Sequence, residues 1–389
     1  MNEPKPTWYE FFAGGGMARL GLGERWNCAF ANEWCAKKAA SYTERFGVGT
    51  PKRCRELRVE DVAKLTPANL PGHADLAWAS FPCQDLSLAG AGAGLKGQRS
   101  GTFSPFWALM QHLVGEGRAP RMIVLENVVG TITSHGGKDF ATILRSLAEG
   151  GYRAGAVVID AIRFLPQSRP RLFIVAARKR APVAPDLLLR WPNPAWHPKP
   201  LLRAYAGLPA EIQKNWLWWD LPEPAEPVKR LSELIEDEPT AVKWHSDAQT
   251  KNLVDLMSDL NRQKLQEVQV SRERRIGAVY KRTRPDPEGR KTQRAEVRFD
   301  DVSGCLRTPA GGSSRQIVLV VEGGSLRSRL LSPREAARLM GVPEDYPIPR
   351  NYNEAYHLFG DGLAVPAVAW LNERLLLPLA ATKAEARAA

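Results

Sequence analysis

The sequence predicts an α/β fold with a mostly parallel sheet that helices cover on both faces. In the first 178 residues, short apolar strands alternate with helical stretches, the pattern that parallel sheets require. A proline-rich middle region with weak periodicity follows, and strong helix signals return near the C-terminus. The returning helices need a core to pack on. We therefore expect residues 1–180 and 328–389 to form one discontinuous domain, with residues 181–327 inserted as a second domain.

The composition indicates a polyanionic partner and excludes several classes of protein. The chain has 389 residues, and 54 Lys or Arg against 42 Asp or Glu leave a net charge of +12. Eleven Lys or Arg but only four Asp or Glu fall between Asn261 and Arg294, which predicts either a solvated arm or a phosphate-tracking surface. Five cysteines without a C-x-x-C pair argue against a disulfide framework and a zinc site, so we expect no metal. No apolar run reaches about 20 residues and no signal-peptide core is visible, which predicts a cytoplasmic protein without a membrane span.

Each element of the first 178 residues is predicted from its local pattern. Runs rich in apolar residues mark the strands, and wider amphipathic stretches mark the helices. The predicted strands are Trp8–Phe12, Cys28–Ala31, Asp75–Phe81, Met122–Glu126, Ala156–Ile159 and Leu172–Ala176. The predicted helices are Ala36–Phe46, Phe106–Val114 and Phe140–Ala148.

After residue 178, fewer secondary-structure elements can be predicted, because the periodicity is weaker. The tryptophans at 216, 218 and 219 indicate a packing anchor, because such clusters stack on nucleic-acid bases less often than they fill a core. The remaining predicted elements are a helix over Asn252–Lys264, a β-like region over Ala295–Val321, a helix opened by a Ser332–Glu335 capping box and stopped by Gly341, and a helix over Pro366–Leu377.

A glycine turn after the first strand is the first candidate site. Phe12-Ala13-Gly14-Gly15-Gly16 lies where glycine lets a ligand approach the backbone closely. The turn alone fits a dinucleotide loop, a methyl-donor loop or a simple tight turn. Glu33 ends the second strand about 20 residues later, where a carboxylate can bind ribose hydroxyls. Trp34 beside it could stack on a purine.

Three further sites lie at other strand ends. Cys83 follows a buried strand and precedes a glycine-rich loop, so it is a candidate nucleophile under a closing lid. Glu126 ends the next strand and is a candidate acid. Arg169 and Arg171 enter the last strand, where a guanidinium can orient a carboxylate or hold a polar substrate edge.

These motifs together resemble the DNA (cytosine-5) methyltransferases. The similar segments are Phe12-x-Gly14-x-Gly16, Phe81-Pro82-Cys83-Gln84, Glu126-Asn127-Val128, Gln167-x-Arg169-x-Arg171, Leu331–Glu335 and Gly360–Pro366. The resemblance covers nearly the whole chain. It implies a Rossmann-like class I S-adenosylmethionine-dependent methyltransferase domain with an inserted small target-recognition domain. The chain departs from the family at Glu10, where Asp is frequent, and at Met17, where a third glycine is frequent.

The resemblance also implies a role for each site residue. Cys83 would attack C6 of a flipped-out cytosine, Glu126 would hold its N3 and N4 edge, and Arg169, supported by Arg171, would hold O2 and orient Glu126. The residues implied to bind S-adenosylmethionine are Phe12, Ala13, Gly14, Gly16, Glu33, Trp34, Asp61, Val62, Pro82 and Val365. The residues expected to contact DNA are Gln84, Ser87 and Arg99 in the lid and Arg272, Arg274, Arg275 and Lys281 in the basic stretch.

The resemblance implies a monomer that acts on double-stranded DNA and releases S-adenosylhomocysteine. It leaves open a cognate restriction endonuclease that acts on the same site. Three other functions remain as alternatives: the same chemistry on transfer RNA, a DNA-binding relative without activity, and a nicotinamide dehydrogenase. The long middle region favours DNA over RNA, the intact Cys83, Glu126 and Arg169 favour an active enzyme, and a dehydrogenase would not explain the Pro82-Cys83 motif.

Overall fold

A seven-stranded sheet forms the centre of the first part of the chain. The computed structural model describes residues 4–47, 54–82, 101–224, 229–285, 289–307 and 315–388, without the side chains of residues 284 and 383–388. The strands of this sheet are β1 (Thr7–Phe11), β2 (Asn27–Glu33), β3 (Leu57–Val59), β4 (Leu76–Ala79), β5 (Met122–Val128), β6 (Tyr152–Asp160) and β7 (Pro170–Arg178). All six predicted strands are present. The three-residue strand β3 was missed because so short an edge strand has no detectable periodicity.

The sheet has the order β3-β2-β1-β4-β5-β7-β6. Strands β1 to β5 run parallel, whereas β7 is antiparallel to both of its neighbours. Strand β7 follows β6 after a short connection with a 3-10 turn at Ala161–Arg163 and no crossover α-helix, so the two strands pair antiparallel. The prediction of a mostly parallel, Rossmann-like sheet is confirmed.

Helices follow most of these strands. They are α1 (Met17–Leu22), α2 (Ala36–Phe46), α3 (Phe103–Gly115), α4 (Lys138–Glu149), α5 (Lys199–Ala206) and α6 (Ala210–Lys214). Helix α2 has the predicted bounds, and α3 and α4 extend the predicted helices by one to three residues at each end. The sheet core is apolar on both faces, as parallel strands require.

The tryptophan cluster packs against this sheet, as predicted. Trp216 and Trp219 are buried, and the rings of Trp216 and Trp218 lie 5.4 Å apart. The cluster sits close to β6 at Gly155, where a Cβ atom would lie only 1.8 Å from the carbonyl oxygen of Leu217. Gly155 is therefore required for this approach of two backbones.

A second, four-stranded antiparallel sheet follows, with the order β11-β10-β8-β9. The elements of this region are α7 (Leu231–Leu234), α8 (Asp247–Asp255), α9 (Asp259–Ser271), β8 (Arg275–Pro285), β9 (Lys291–Arg298), β10 (Ile317–Glu322) and β11 (Ser325–Leu330). The predicted single helix over Asn252–Lys264 is wrong. Ser258 caps a new helix inside it, so the stretch belongs to two helices. Strand β8 was not predicted, because its basic residues interrupt the alternation of apolar and polar residues that marks a strand.

The C-terminal elements are α10 (Pro333–Leu339), α11 (Tyr352–Asp361), α12 (Val365–Leu371) and α13 (Leu377–Ala388). The Ser332–Glu335 capping box is present, as predicted. The helix predicted over Pro366–Leu377 continues further, through a π-helical turn at Asn372–Leu376. The helical stretch Tyr352–Thr382 is long and apolar enough to span a membrane, a weak indication because core helices meet the same criterion, and 56% of its most apolar window is buried.

Packing divides the chain into two compact units. The first unit contains Met1–Asp160, Pro170–Pro224 and Ala367–Ala389, and the second contains Ala161–Arg169 and Ala225–Pro366. These bounds differ from the predicted domains, because residues 181–224 pack with the first unit and residues 328–366 with the second. The tryptophan cluster holds the former on β6, and a fully buried Arg329–Glu335 ion pair joins β11 to α10. The division of labour between a catalytic and a target-recognition domain stays a prediction.

Candidate active site

The predicted site residues of the first unit follow the carboxyl ends of neighbouring strands. Phe12 follows β1, Glu33 ends β2, Pro82 follows β4 and Glu126 lies near the end of β5. Parallel pairing of β2, β1, β4 and β5 places these ends on one edge of the sheet. Open α/β sheets bind their ligands at this edge.

The glycine turn after β1 has the backbone shape that its sequence requires. Phe12, Gly14 and Gly16 have positive φ angles of 60°, 56° and 77°. Ala13 donates its N–H to the carbonyl oxygen of Asn32 at 2.9 Å, which ties the turn to β2. A Cβ atom on Gly16 would lie 2.3 Å from the Phe46 ring, so only glycine fits there. Beside Gly14, by contrast, nothing lies within 4 Å of an added Cβ, and the backbone faces open space.

Glu33 holds this turn from β2. The buried carboxylate accepts the Gly14 N–H at 2.8 Å through Oε2 and the Cys35 N–H at 2.8 Å through Oε1. Each carboxylate oxygen has a second lone pair and can accept a further hydrogen bond. Trp34 follows at once, and 72% of its surface is exposed. An indole so exposed beside a held carboxylate is available for stacking.

Asp61 and Val62 lie beyond the end of β3. The Asn32 amide donates to the carbonyl oxygen of Glu60 at 2.8 Å, which fastens this segment to β2. Asp61 is exposed and caps a short helical turn by accepting the Ala63 N–H, whereas Val62 is buried. The exposed ring of Pro82 lies beyond β4. Val365 belongs to the second unit, where its N–H donates to Met340.

A buried polar cluster underlies the glycine turn. Glu10 on β1 is 1% exposed, and its Oε2 accepts the Tyr42 hydroxyl at 3.1 Å. Arg19 donates to that hydroxyl at 2.9 Å and to Glu56 at 2.6 Å. Burial raises the pKa of the Glu10 carboxyl to about 8, although the Arg19 charge and the Tyr42 hydrogen bond act to lower it. Burial likewise raises the pKa of the nearby Cys28 thiol to about 12.

Glu126 is paired with Arg171. The Nε atom of Arg171 lies 3.2 Å from Oε1 of Glu126, and both side chains are largely buried. The strand register explains the contact, because Glu126 lies opposite Phe173 and Arg171 opposite Val128. The two side chains are therefore diagonal neighbours on one face of the sheet. The predicted support of Glu126 by Arg171 is thus seen as a direct contact, and the predicted role of Arg169 stays a prediction.

Arg169 is buried in the second unit, where its guanidinium donates to backbone carbonyls. It reaches Leu306 at 2.8 Å, Gly360 at 2.9 Å and Gly362 at 2.6 Å. These bonds join the connection between β6 and β7 to two other segments of that unit. The predicted hold of Arg169 on the cytosine O2 stays a prediction.

Asn127 is a site residue that the sequence analysis quoted but assigned no role. Its Nδ2 donates to the carbonyl oxygen of Phe81 at 3.0 Å, and its Oδ1 accepts the Val128 N–H and the Thr131 hydroxyl. This buried amide links the end of β5 to the chain two residues before position 83. In the sequence, the one indication that Asn127 belongs to the site was its position directly after Glu126 at the end of a predicted strand.

Several predicted residues cannot be placed. Cys83, Gln84, Ser87 and Arg99 lie outside the described residues, as does most of the predicted lid.

The predicted DNA-contacting residues of the basic stretch lie in the second unit. Arg274 pairs with Asp237 and Arg275 with Glu273. Arg272 ends α9 in a left-handed conformation, and Lys281 lies on β8 opposite Ala295. Their contacts with DNA stay a prediction. In the described ranges, no group of three or more His, Cys, Asp or Glu side chains could hold a metal ion.

Comparison with known proteins identifies the family. The model of the C-5 cytosine-specific DNA methylases matches residues 7–376. The chain belongs to this family. It is thus an S-adenosylmethionine-dependent enzyme that methylates C5 of cytosine in DNA, and the resemblance noted in the sequence is confirmed.

This cytosine methylase matches similar relatives over most of their length. It is 28% identical over 384 residues to the type II methyltransferase M.BsuFI of Bacillus subtilis, covering 96% of this chain and 74% of the relative. It is 27% identical over 362 residues to M.NgoBI of Neisseria gonorrhoeae, covering 92% and 89%. Among solved structures, the S. pombe Dnmt2 methyltransferase has a TM-score of 0.59 at 17% identity, covering 96% of this chain and 99% of that one. That likeness supports the methyltransferase fold.

The residues around the glycine turn of the methylase fit its cofactor. S-adenosylmethionine presents an adenine ring, two ribose hydroxyls and an amino acid moiety. The open space beside Gly14, the exposed Trp34 indole and the held Glu33 carboxylate offer a backbone surface, an aromatic face and hydroxyl acceptors on one sheet edge. The donor set therefore agrees with the ligand in chemistry.

Proposed function

We propose that this methylase modifies one cytosine within a short, specific site of duplex DNA, as the modification enzyme of a type II restriction-modification system. The relatives named above are type II methyltransferases. The net charge of +12 and the basic stretch Asn261–Arg294 suit a polyanionic duplex. The partner is then double-stranded DNA, and a restriction endonuclease would share the site. We expect the enzyme to act as a monomer in the cytoplasm.

Cys83 is the proposed nucleophile. Its thiolate adds to C6 of the target cytosine, and the ring electrons then make C5 nucleophilic. Bound S-adenosylmethionine supplies the electrophilic methyl group that C5 attacks. A base then removes the C5 proton, the C5–C6 double bond returns and the thiolate leaves. Attack on C6 requires access to the face of the ring, so the cytosine must leave the base stack.

Glu126 is the proposed acid at N3 and N4 of the cytosine. A proton or hydrogen bond given to N3 draws charge from the ring as the thiolate attacks C6. The Glu126–Arg171 pair is the observation that carries this proposal, because it holds the carboxyl group on the strand next to β4, which leads to Cys83. Arg169 is proposed to hold the cytosine O2 and to orient Glu126, and Arg171, which contacts Glu126, supports the same group.

The cofactor would lie along the ends of β1, β2 and β3. Glu33 accepts hydrogen bonds from the ribose hydroxyls, Trp34 stacks on the adenine, and Asp61 receives the adenine amine. The remaining proposed contacts are Phe12, Ala13, Gly14, Gly16, Val62, Pro82 and Val365. The proposed lid, residues 84–102, would close over the flipped base with Gln84, Ser87 and Arg99 facing the DNA.

Bisulfite sequencing tests the proposal directly. The chain is expressed in a host without DNA methylation, and the whole genome is converted and sequenced. We expect 5-methylcytosine at one position of one short motif. A Cys83→Ala variant expressed to the same level should leave the genome unmethylated while it still binds S-adenosylmethionine in calorimetry. Methylation by this variant would remove Cys83 from its role, and methylation scattered over unrelated sequences would contradict a specific site.

A further inference from the structure

The hairpin formed by β8 and β9 concentrates positive charge in the second unit. These two strands contain seven Lys or Arg and one acidic residue, Glu296. Strand β9 is the outer strand of its sheet, with β8 as its neighbour. A two-stranded hairpin at the edge of a sheet can contact another molecule without any rearrangement of the remaining strands.

Two arginines of this hairpin lie directly opposite each other. Arg282 on β8 pairs in register with Arg294 on β9, so the two guanidinium groups project from the same face. Like charges directly opposite each other on neighbouring strands destabilise a sheet. Two opposed arginines are therefore favourable only when negative charge lies close to both guanidinium groups.

The protein supplies part of this charge. Arg282 lies 3.5 Å from Oε2 of Glu296, and its guanidinium lies 4.5 Å from the centre of the Tyr280 ring. Both contacts aim the Arg282 side chain along the face that it shares with Arg294. Glu296 is the one carboxylate in the sequence of the two strands, so Arg282 and Arg294 together exceed the negative charge of the hairpin by one.

Arg294 is also open to a ligand. It is half-buried and lines a cavity of about 380 Å³, whose other charged residues are Arg262, Asp259 and Glu296. Asp259 lies 3.7 Å from Arg262, so these two charges offset each other. The basic residues before this part of the hairpin are different, because Arg274 and Arg275 each pair with a neighbouring acid. The surplus of positive charge therefore lies at the Arg282–Arg294 pair rather than at the start of β8.

We propose that Arg282 and Arg294 together bind one phosphate group of the duplex substrate. Guanidinium groups bind phosphate through parallel hydrogen bonds, and two of them can hold one phosphate from two sides. Such a contact positions the duplex and does not read its sequence. This inference rests on the proposed function, because it takes duplex DNA as the ligand.

The experiment measures DNA affinity against salt concentration for the full chain. The variants are Arg282→Gln, Arg294→Gln and the double variant, with fluorescence anisotropy on a cognate and an unrelated duplex. We expect a loss of roughly 10- to 150-fold, as for hydrogen bonds to charged groups, and equal for both duplexes. The log–log salt slope should fall by roughly 0.9 in the double variant, the value for one phosphate. The single losses should not add, because both arginines serve the same group.

Arg298→Gln is the matched control. Arg298 lies on β9 and on the same face, but its Nε already donates to Asp300 at 2.8 Å, so affinity should change little. The Arg282→Lys, Arg294→Lys double variant keeps both charges and should keep the salt slope. An unchanged slope in the glutamine double variant, or a loss confined to the cognate duplex, would overturn the inference. Failure of the proposed function would appear separately, as a wild-type protein that methylates no specific duplex site.

Discussion

The guanidinium Nε of Arg171 lies 3.2 Å from the Oε1 atom of Glu126, on the same face of two antiparallel strands. The parallel part of the sheet ends at β5, and β7 enters it from the opposite direction. The reversal brings the first residues of β7 beside the last residues of β5. An arginine at the start of one strand thereby meets a carboxylate at the end of another, at the edge where the substrate is proposed to bind.

This pairing predicts the effect of changing Arg171. We expect Arg171→Lys to slow methyl transfer roughly 10- to 150-fold, because an ammonium group cannot replace the planar guanidinium at a buried carboxylate. Single-turnover transfer of a tritiated methyl group measures the effect. Arg178→Lys is the control, since Arg178 lies on the same strand at the opposite sheet edge. Equal rates for the two variants would contradict the role given to Arg171.

The acid itself gives a second prediction. Glu126→Gln keeps the shape of the side chain but removes the proton-bearing group, so methyl transfer should slow about 100- to 10,000-fold. Affinity for S-adenosylmethionine should persist, because the glycine turn and Glu33 are intact. Single-turnover rates and calorimetric titration are compared in the same preparation. A rate within about threefold of the wild type, which is small beside that range, would exclude Glu126 as the acid.

Glu10 predicts a pH dependence of stability. Its pKa in the fold is about 8, above the ordinary value of 4.5, so the folded state keeps a proton that the unfolded state has lost. Stability should therefore fall as the pH rises from about 4.5 to 8, by up to about 1.4 kcal/mol per pH unit from this group. Glu10→Gln stays neutral and should flatten the profile over that window. Urea unfolding at several pH values tests this, and parallel profiles of variant and wild type would refute it.

A buried asparagine in the C-terminal helical segment is expected to contribute to stability by linking that segment to the N-terminal part of the chain. Asn372 lies in the π-helical turn, accepts the Trp26 indole N–H at 2.8 Å and donates to the Leu22 carbonyl at 3.1 Å. Asn372→Leu would leave both buried groups unsatisfied, at about 1–3 kcal/mol each. Urea unfolding should show the loss. Glu373→Gln, at the neighbouring half-exposed position, is the control. An equal loss of stability in both variants would contradict the bridging role of Asn372.

Local sequence patterns were enough to predict the fold class and to find the motifs. Alternating apolar strands and helices predicted the sheet, and α2 was predicted to the residue. The glycine turn, Glu33, Cys83 and Glu126 could be predicted as site residues because strand-end position and residue type are local properties. The family resemblance rested on the same local segments, and the family match across residues 7–376 confirmed it.

The contacts between distant side chains could not be predicted in this way, because they depend on the folded structure. Arg171 contacts Glu126 through the register of β5 and β7, and the Arg169 guanidinium donates to the carbonyl oxygens of Gly360 and Gly362, far along the chain. The Arg282–Arg294 pair depends on the register of a hairpin, and the Trp26–Asn372 bond joins residues 346 positions apart. Such contacts are set by strand register and by burial, which depend on the packing of the whole unit and not on neighbouring residues in the sequence.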